Sequence, residues 1–196
     1  MQDDTLMNPL DFLYLYNGGG VAVGDLNGDQ RPDLYFAGNQ VRNRLYLNQG
    51  DFRFRNVTKA AQVGAAEAWS TGVSVVDVNQ DGRLDVYVSV GGPKAAGQSR
   101  ANKLFVNQGL GADSIPSFEE KARAYGIANT GYTTHAAFFD YNRDGDLDLY
   151  VLNNAIRSAL TARRKAPITS TGTTGTAPLR TCRRRRAFRS RDTGSG

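Results

Sequence analysis

"GVSVVDVNQDGRLDVYVSV" (Gly72–Val90) places a nine-residue polar loop, Asp77–Asp85, between two runs of β-branched and aromatic residues. Such runs, broken by glycine-rich turns, are typical of β-strands. The polar segment between them is therefore predicted to form the tip of a β-hairpin. It carries side-chain oxygens at its first, third, fifth and ninth positions. Hard oxygen donors at this spacing favour Ca²⁺.

The same loop occurs three times. We name the copies loop 1 (Asp25–Asp33, "DLNGDQRPD"), loop 2 (Asp77–Asp85, "DVNQDGRLD") and loop 3 (Asp140–Asp148, "DYNRDGDLD"). By analogy with the EF-hand, a backbone carbonyl is expected to fill position seven. The predicted calcium ligands are Asp25, Asn27, Asp29, Arg31 and Asp33 in loop 1; Asp77, Asn79, Asp81, Arg83 and Asp85 in loop 2; and Asp140, Asn142, Asp144, Asp146 and Asp148 in loop 3. Because Asp146 adds a carboxylate, loop 3 is expected to bind tightest.

Crowded carboxylates are the physical reason for expecting a cation. At about 4 Å each like-charge pair costs roughly 1 kcal/mol in water and about 4 kcal/mol at an effective dielectric of 20, and a dication reverses that sign. The alternative is an Asx-rich turn that joins two strands without metal. The threefold recurrence favours the metal. An EF-hand is excluded because position 12 holds Phe36, Val88 or Val151 rather than the bidentate glutamate.

The similarity extends beyond the loops. The motif N-[RK]-L-[YF]-x-N-Q-G follows at Asn43–Gly50 and Asn102–Gly109, and each copy precedes an aromatic strand and a short alanine-rich stretch. Each unit then has about four strands, and such repeats are typical of β-propeller blades. The sequence predicts an all-β fold, a partial β-propeller of about two and a half four-stranded blades. It also predicts exposed apolar sides where neighbouring blades would pack.

The pattern resembles FG-GAP/VCBS repeats, the blades of integrin-α-like propellers. "NPLDFLYLYNGGGVAVGDLNGD" (Asn8–Asp29) and "GYTTHAAFFDYNRDGDLDLYVLNN" (Gly131–Asn154) look most similar to bacterial members of the cartilage-acidic-protein group. Full chains of that group often end in an ASPIC/UnbV domain, which is not recognisable in this sequence. The resemblance covers residues 8–154 and implies Ca²⁺ at the loop positions named above. In one departure, Gln30 replaces the glycine that loops 2 and 3 have at position six, so a left-handed backbone there would strain loop 1 and weaken its site.

The composition changes after Asn154. Residues 155–196 carry a net charge of +10 and residues 1–154 one of −5. We predict an FG-GAP/VCBS repeat region over residues 1–154 and a disordered basic tail over residues 155–196. The run "RTCRRRR" (Arg180–Arg186) has two ordinary interpretations, a nucleic-acid or acidic-partner patch and a solvated, disordered segment.

A third interpretation of the tail, a frameshift, is favoured. With wobble bases chosen freely, residues 168–196 read in the neighbouring frame give "DHLYRNDGNGTFTDVSAEAGIPIPGYGFG". This string resembles the outer half of the other two units, which the third unit lacks. The tail would then have no selected function, and no nucleic-acid partner is expected. Sequencing the gene around the codons for residues 155–167 tests the hypothesis.

The remaining chemistry-bearing residues do not indicate an enzyme. His135, the only histidine, has no nucleophile or partner visible in the sequence, so a packing role is favoured over a general base. Trp69 and the repeated Tyr35, Tyr87 and Tyr150 are interpreted as packing residues rather than a sugar-stacking platform. No Cys/His cluster and no G-x-S-x-G elbow is present.

These patterns lead to one functional hypothesis and one alternative. The hypothesis is a non-enzymatic, calcium-binding propeller module that acts as an extracellular binding or adhesion scaffold for a protein or glycan. The alternative is a fragment of a propeller-type enzyme acting on polysaccharides with Ca²⁺ as Lewis acid. The missing blades of the parent propeller are further expected partners.

Localisation is predicted from the expected calcium affinity. Sites of Kd about 10⁻⁴–10⁻³ M are typical of extracellular modules and stay largely empty in cytosol. The parent protein is therefore expected outside the cell or in the periplasm. The first residues lack the pattern of a signal peptide, so the export signal is expected to be missing here. No run of 18 apolar residues occurs, and no membrane-spanning segment is predicted.

Overall fold

The chain folds into β-strands joined by turns. The computed structural model describes residues 18–39, 41–66, 68–92 and 100–154, and the backbone of 169–172 and 180–182. The strands are β1 (Val21–Gly24), β2 (Asp33–Phe36), β3 (Arg44–Asn48), β4 (Phe54–Asn56), β5 (Ser70–Val76), β6 (Asp85–Val90), β7 (Lys103–Leu110), β8 (Pro116–Glu120), β9 (Thr133–Phe139), β10 (Asp148–Asn153), β11 (Thr169–Gly172) and β12 (Arg180–Cys182). The helical structure within the described ranges is a 3₁₀ turn at Ala112–Ser114. The predicted all-β class is confirmed.

The strands form three antiparallel sheets of four strands each, and in each sheet the strands lie in chain order. We call them sheet 1 (β1–β4), sheet 2 (β5–β8) and sheet 3 (β9–β12). The first two strands of each sheet pair as a hairpin, and loops 1, 2 and 3 connect them. The four-stranded unit and the place of each polar loop at a hairpin tip agree with the sequence prediction.

Sheet 3 is completed by two strands from the segment predicted to be a disordered tail. β11 pairs with β10, with Leu149 opposite Thr171, and β12 pairs with β11. The structure therefore differs from the predicted disorder at these two strands. The physical reason is that β10 has a second edge of backbone N–H and C=O groups, which β11 satisfies. The rest of the segment lies outside the described residues, and the predicted domain boundary stays a prediction.

An apolar core lies between sheets 1 and 2 and another between sheets 2 and 3, and β6 contributes side chains to both. Val86 and Val88 enter the first core, between sheets 1 and 2, and Tyr87 enters the second, between sheets 2 and 3. Alternate residues of a strand point to opposite faces, so the residues of a strand covered on both sides are buried at every position, and most of those in β6 are apolar. All six residues of β6 are accordingly buried.

The inner strands of the three sheets approach closely at glycines. Gly20 donates its N–H to the Thr71 carbonyl at 2.5 Å, so β1 lies against β5. A Cβ added to Gly72 would come within 2.6 Å of the Thr134 carbonyl oxygen and of Nδ1 of His135. His135 occupies the matching position in sheet 3, where its side chain is exposed. Its ring lies against Gly72 at this contact between sheets, and the packing role inferred for it stays a prediction.

Each sheet packs on the next in the same way, and no described strand covers the other apolar face of sheet 1. Val73 and Val88 of sheet 2 are buried in the first core. Their counterparts in sheet 1, Val21 and Phe36, are 52% and 41% exposed. An exposed apolar side of this kind is what the incomplete-repeat interpretation predicted.

Among the described residues, no helix is long and apolar enough to cross a membrane.

The repeated tyrosines anchor a buried polar network in sheets 1 and 2. The Tyr87 hydroxyl donates to the Ile127 carbonyl at 2.9 Å and accepts from the Asn102 amide at 2.9 Å. Tyr35 makes the equivalent bonds, at 2.7 and 3.0 Å, in sheet 1. Burial raises the pKa of both phenols, so they stay neutral hydrogen-bonding groups. Tyr35, Tyr87 and Trp69 are buried, which confirms packing rather than a stacking platform.

Candidate metal-binding loops

The aspartate at position one organises each loop by accepting main-chain N–H groups. In loop 1, Oδ1 of Asp25 accepts from Gly28 at 2.7 Å and from Asp29 at 3.1 Å, and Oδ2 accepts from Gln30 at 2.7 Å. Asp77 and Asp140 accept equivalent N–H groups in loops 2 and 3. The three loops therefore share one backbone conformation, set by the same residue type.

Positions three and five lie against each other and close to position one. In loop 1, the N–H of Asp29 is shared between Oδ1 of Asp25 and Oδ1 of Asn27, at 3.1 and 3.2 Å. The Asn27 amide also donates to Oδ2 of Asp29 at 3.0 Å. The matching amide–carboxylate distances are 2.9 Å in loop 2 and 2.6 Å in loop 3. The structure thus brings together the side chains predicted at positions one, three and five.

The aspartate at position nine is turned toward the main chain. The buried Asp85 accepts from the backbone N–H groups of Val78 and Asn107, at 2.9 and 2.8 Å. Burial, together with the charges of Asp81 and Asp77, raises the pKa of Asp85 to about 6, although the two N–H donors lower it. Asp33 has the same two kinds of bond in loop 1. Asp148 accepts from Tyr141 in loop 3 at 2.8 Å.

Position seven holds an arginine in two loops, and its side chain has a role that the sequence analysis did not predict. The guanidinium groups of Arg31 and Arg83 form ion pairs with Asp29 and Asp81. Although burial opposes it, hydrogen bonds from Asn27 and Arg31 hold the pKa of Asp29 below its usual value. The carbonyl ligands predicted at position seven remain a prediction.

Each loop contains two residues with left-handed backbone, at positions four and six. In loop 1 these are Gly28 and Gln30, with φ of 78° and 64°. In loops 2 and 3 the order is reversed, because position four is Gln80 or Arg143 and position six is glycine. Gln30 is left-handed, as anticipated, but every loop has one glycine and one other residue in this conformation. The backbone conformation therefore gives no reason to expect weaker metal binding by loop 1 than by loops 2 and 3.

A Gly82→Ala variant is expected to lose about 1–2 kcal/mol of the free energy of unfolding, because a side chain at left-handed φ is strained. A Cβ at Gly82 would meet no atom within 4 Å, so no steric cost adds to this. Urea denaturation in EGTA measures the loss. Gly82→Asn is the control, since Asn tolerates this conformation better and should lose less. Equal stability of Gly82→Ala and the parent chain would contradict the assigned strain.

Two asparagines that the loop pattern does not single out hold the loops to the sheets. Asn48 and Asn107 begin the two N-Q-G turns, and their N–H groups donate to Asp33 and Asp85. The Asn107 amide also donates to the Leu26 carbonyl at 3.0 Å, which ties sheet 2 to loop 1. The available signal was the recurrence of N-Q-G after loops 1 and 2.

The donors fit a hard dication chemically, but position nine does not join the others in this arrangement. Within the described ranges, no group of three or more Asp, Glu, His or Cys side chains is placed to hold a metal ion. Carboxylate and amide oxygens are nevertheless the donors that Ca²⁺ prefers. The side chains at positions one, three and five of loop 1 each retain at least one unused oxygen lone pair. Calcium therefore remains a prediction.

Comparison with known proteins supports the resemblance found in the sequence. Residues 25–88, which span loops 1 and 2, match the FG-GAP-like repeat family. The chain is similar to cartilage acidic protein 1 from Mus musculus (26% identity over 148 residues, 72% of this chain and 20% of the relative), Xenopus tropicalis (27%, 74% and 21%) and Homo sapiens (26%, 74% and 20%). The chain spans about a fifth of the length of these relatives. The predicted resemblance to FG-GAP repeats and to the cartilage-acidic-protein group is confirmed.

Proposed function

We propose that this chain is a calcium-binding repeat module, part of a β-propeller, and that it serves as a non-enzymatic binding scaffold outside the cell. The observation that carries the proposal is the common hydrogen-bond scheme of the three loops. In each, the side chains at positions one and three accept the same backbone N–H group, that of position five, at a hairpin tip. Donors of this type, repeated in equivalent places, favour one ligand chemistry throughout, a hard divalent cation.

The propeller part of the proposal is supported by how the sheets stack. Every sheet has its strands in chain order, and β1, β5 and β9, the first strands, lie side by side. Ser74 on β5 donates to the Ala136 carbonyl on β9 at 2.6 Å, so adjacent first strands are bonded directly. Repetition of one sheet around a common centre is the architecture of a propeller. The repeat region predicted from the sequence covers residues 1–154, and β11 and β12 of sheet 3 lie beyond it.

The extracellular role is supported by the relatives and by the expected calcium affinity. The matched repeat family and the similarity to cartilage acidic protein 1 favour an extracellular module. Sites with Kd about 10⁻⁴–10⁻³ M fill at extracellular calcium levels. The partners proposed are a protein or a glycan bound on variable loops, together with further blades of the parent protein. Nucleic-acid binding and catalysis form no part of the proposal.

Calcium-dependent stability tests the proposal. At a tenfold excess of free Ca²⁺ over Kd, each filled site is expected to add about 1.4 kcal/mol to the free energy of unfolding. Thermal unfolding with millimolar Ca²⁺, with Mg²⁺ and with EGTA measures the effect. The Asp77→Ala and Asp81→Ala double variant is expected to lose the contribution of loop 2 alone. The same unfolding temperature in Ca²⁺ and in EGTA would refute the proposal.

A further inference from the structure

The open face of sheet 1 repeats, position by position, a face that is packed in sheet 2. We call it face A, and it consists of Val21, Val23, Leu34, Phe36, Tyr46 and Phe54. The equivalent register positions of sheet 2 are held by Val73, Val75, Val86, Val88, Phe105 and Phe118. All six of these counterparts belong to the first core or pack against it. Face A therefore has the side chains of a surface that packs on another sheet of this type.

The outer face of sheet 3 repeats the opposite half of the same contact. We call it face B, and on β9, loop 3 and β10 it consists of Phe139, Tyr141, Tyr150 and Leu152. The counterparts in sheet 2 are Val76, Val78, Tyr87 and Ser89, which are buried or pack on the second core. In sheet 3, by contrast, Phe139, Tyr141 and Leu152 are 44%, 70% and 50% exposed. No described strand covers face B.

The chain thus carries both halves of one contact, at opposite ends of its row of sheets. A surface of the face B type packs on one of the face A type twice within the chain, between sheets 1 and 2 and between sheets 2 and 3. The same contact between two copies is heterologous, because it joins unlike surfaces, and it gives either a closed ring or an open filament. Each copy supplies three sheets. A ring of two copies then has about six blades, within the usual range of about four to eight for closed propellers.

We propose that a second copy of this chain covers both open faces, with face B of each copy packed on face A of the other. The inference rests on the propeller part of the proposed function. The product is a closed dimer with two equal contacts between copies, in addition to the two contacts within each copy. Burial of both apolar faces in both copies supplies the driving force for association.

One residue of sheet 3 makes the contact between copies looser than the contacts within a copy. A Cβ at Gly20 would lie 2.9 Å from the Thr71 carbonyl oxygen, and one at Gly72 would lie 2.6 Å from that of Thr134. Glycine at this position therefore allows adjacent first strands to approach each other. Sheet 3 has His135 at the same position. Its Cβ holds the first strand of the second copy further away, so the dimer is expected to dissociate on dilution.

Sedimentation of the full chain over a series of concentrations tests the inference. The parent chain should reach a dimer and no larger species. Val21→Lys in face A and Leu152→Lys in face B each place an unpaired charge in both contacts of the ring, so each should weaken dimerisation by about 100-fold or more. Phe52→Lys is the matched control. Phe52 is 97% exposed in the turn between β3 and β4, outside both faces, so this variant should sediment like the parent chain.

A mixture of the two face variants distinguishes unlike from like surfaces. The Val21→Lys chain keeps an intact face B, and the Leu152→Lys chain keeps an intact face A. The equal mixture should therefore form a heterodimer through one contact, although neither variant dimerises alone. It should need a higher concentration than the parent dimer, which has two contacts.

His135→Gly changes the spacing without changing either apolar face. Because it restores the glycine that allows close approach, it should tighten dimerisation by about fivefold or more. Circular dichroism checks that every variant has the parent's β-structure. Non-specific adhesion of apolar surface predicts no gain from this substitution, and an unchanged dissociation constant would contradict the proposed contact.

Four other results would overturn the second copy as the occupant. They are a parent chain that stays monomeric at every concentration, a dimer that either face variant leaves intact, a mixture that does not associate, and growth of the parent chain into filaments. A monomeric parent chain that is still stabilised by Ca²⁺ would overturn this inference and leave the proposed function intact. The two failures are therefore distinguishable.

Discussion

An Asp85→Ala variant is expected to lose about 2–5 kcal/mol of the free energy of unfolding, because two buried N–H groups lose their acceptor. The donors belong to Val78, in loop 2, and Asn107, on β7. The carboxylate therefore joins the loop to a strand that is not its hairpin partner. Urea denaturation at pH 7 in EGTA measures the loss without any contribution from metal.

Asp81→Ala is the matched control for Asp85→Ala. Asp81 is at position five of the same loop, and the hydrogen bonds that its carboxylate accepts from Asn79 and Arg83 are exposed, so its removal should cost less than about 1 kcal/mol. The predicted difference comes from burial, since both substitutions remove one carboxylate from one loop. Equal losses in the two variants would show that Asp85 does not anchor the loop.

A Gly72→Ala variant is expected to lose about 3 kcal/mol or more, because the added methyl group has no space between sheets 2 and 3. Its Cβ would lie 2.6 Å from the Thr134 carbonyl oxygen, and a backbone atom at that distance has to move with its strand. Overpacking that shifts backbone is among the costliest core changes. Urea denaturation monitored by Trp69 fluorescence measures the loss.

Gly64→Ala separates the steric effect from the general effect of adding a methyl group. A Cβ on Gly64 would meet only the Thr58 methyl group, at 3.5 Å, which is ordinary contact. Its stability should stay within about 1 kcal/mol of the parent chain. If Gly72→Ala were as stable as Gly64→Ala, the close approach of β5 and β9 would be wrong.

The hairpins and loops were predictable from sequence because their signals are local. The β-branched runs beside Asp77–Asp85 determine the strands, and the spacing of Asp and Asn within nine residues determines the turn. The convergence of positions one, three and five follows from bonds that span at most five residues. Recurrence of the pattern then predicted the repeated sheet.

The role of position nine was not predictable because it depends on a distant partner. Asp33 and Asp85 bind N–H groups 15 and 22 residues away, on β3 and β7. The spacing alone predicted that they bind calcium, like the aspartates at positions one and five. Their burial and their bonds to the main chain became visible only in the folded sheets.

The arginines and the end of the chain show two other limits of sequence reasoning. Arg31 and Arg83 were assigned to the site through their carbonyl groups, whereas the structure shows what their side chains contact. The charge and polarity of residues 155–196 predicted disorder, yet Thr169–Gly172 and Arg180–Cys182 form strands on sheet 3. An edge strand pairs with another strand through backbone N–H and C=O groups, so the amino-acid composition of a segment says little about whether it will add to a sheet.

The central claim is that the aspartates and asparagines of the three loops bind a divalent cation. Calorimetric titration of the chain with Ca²⁺ tests it most directly when compared with a variant in which Asp25, Asp77 and Asp140 are all alanine. We predict saturable calcium binding at or below millimolar concentration in the parent chain and none in the triple variant. Absence of saturable binding by the folded parent chain at millimolar Ca²⁺, or the same binding isotherm for both proteins, would contradict it.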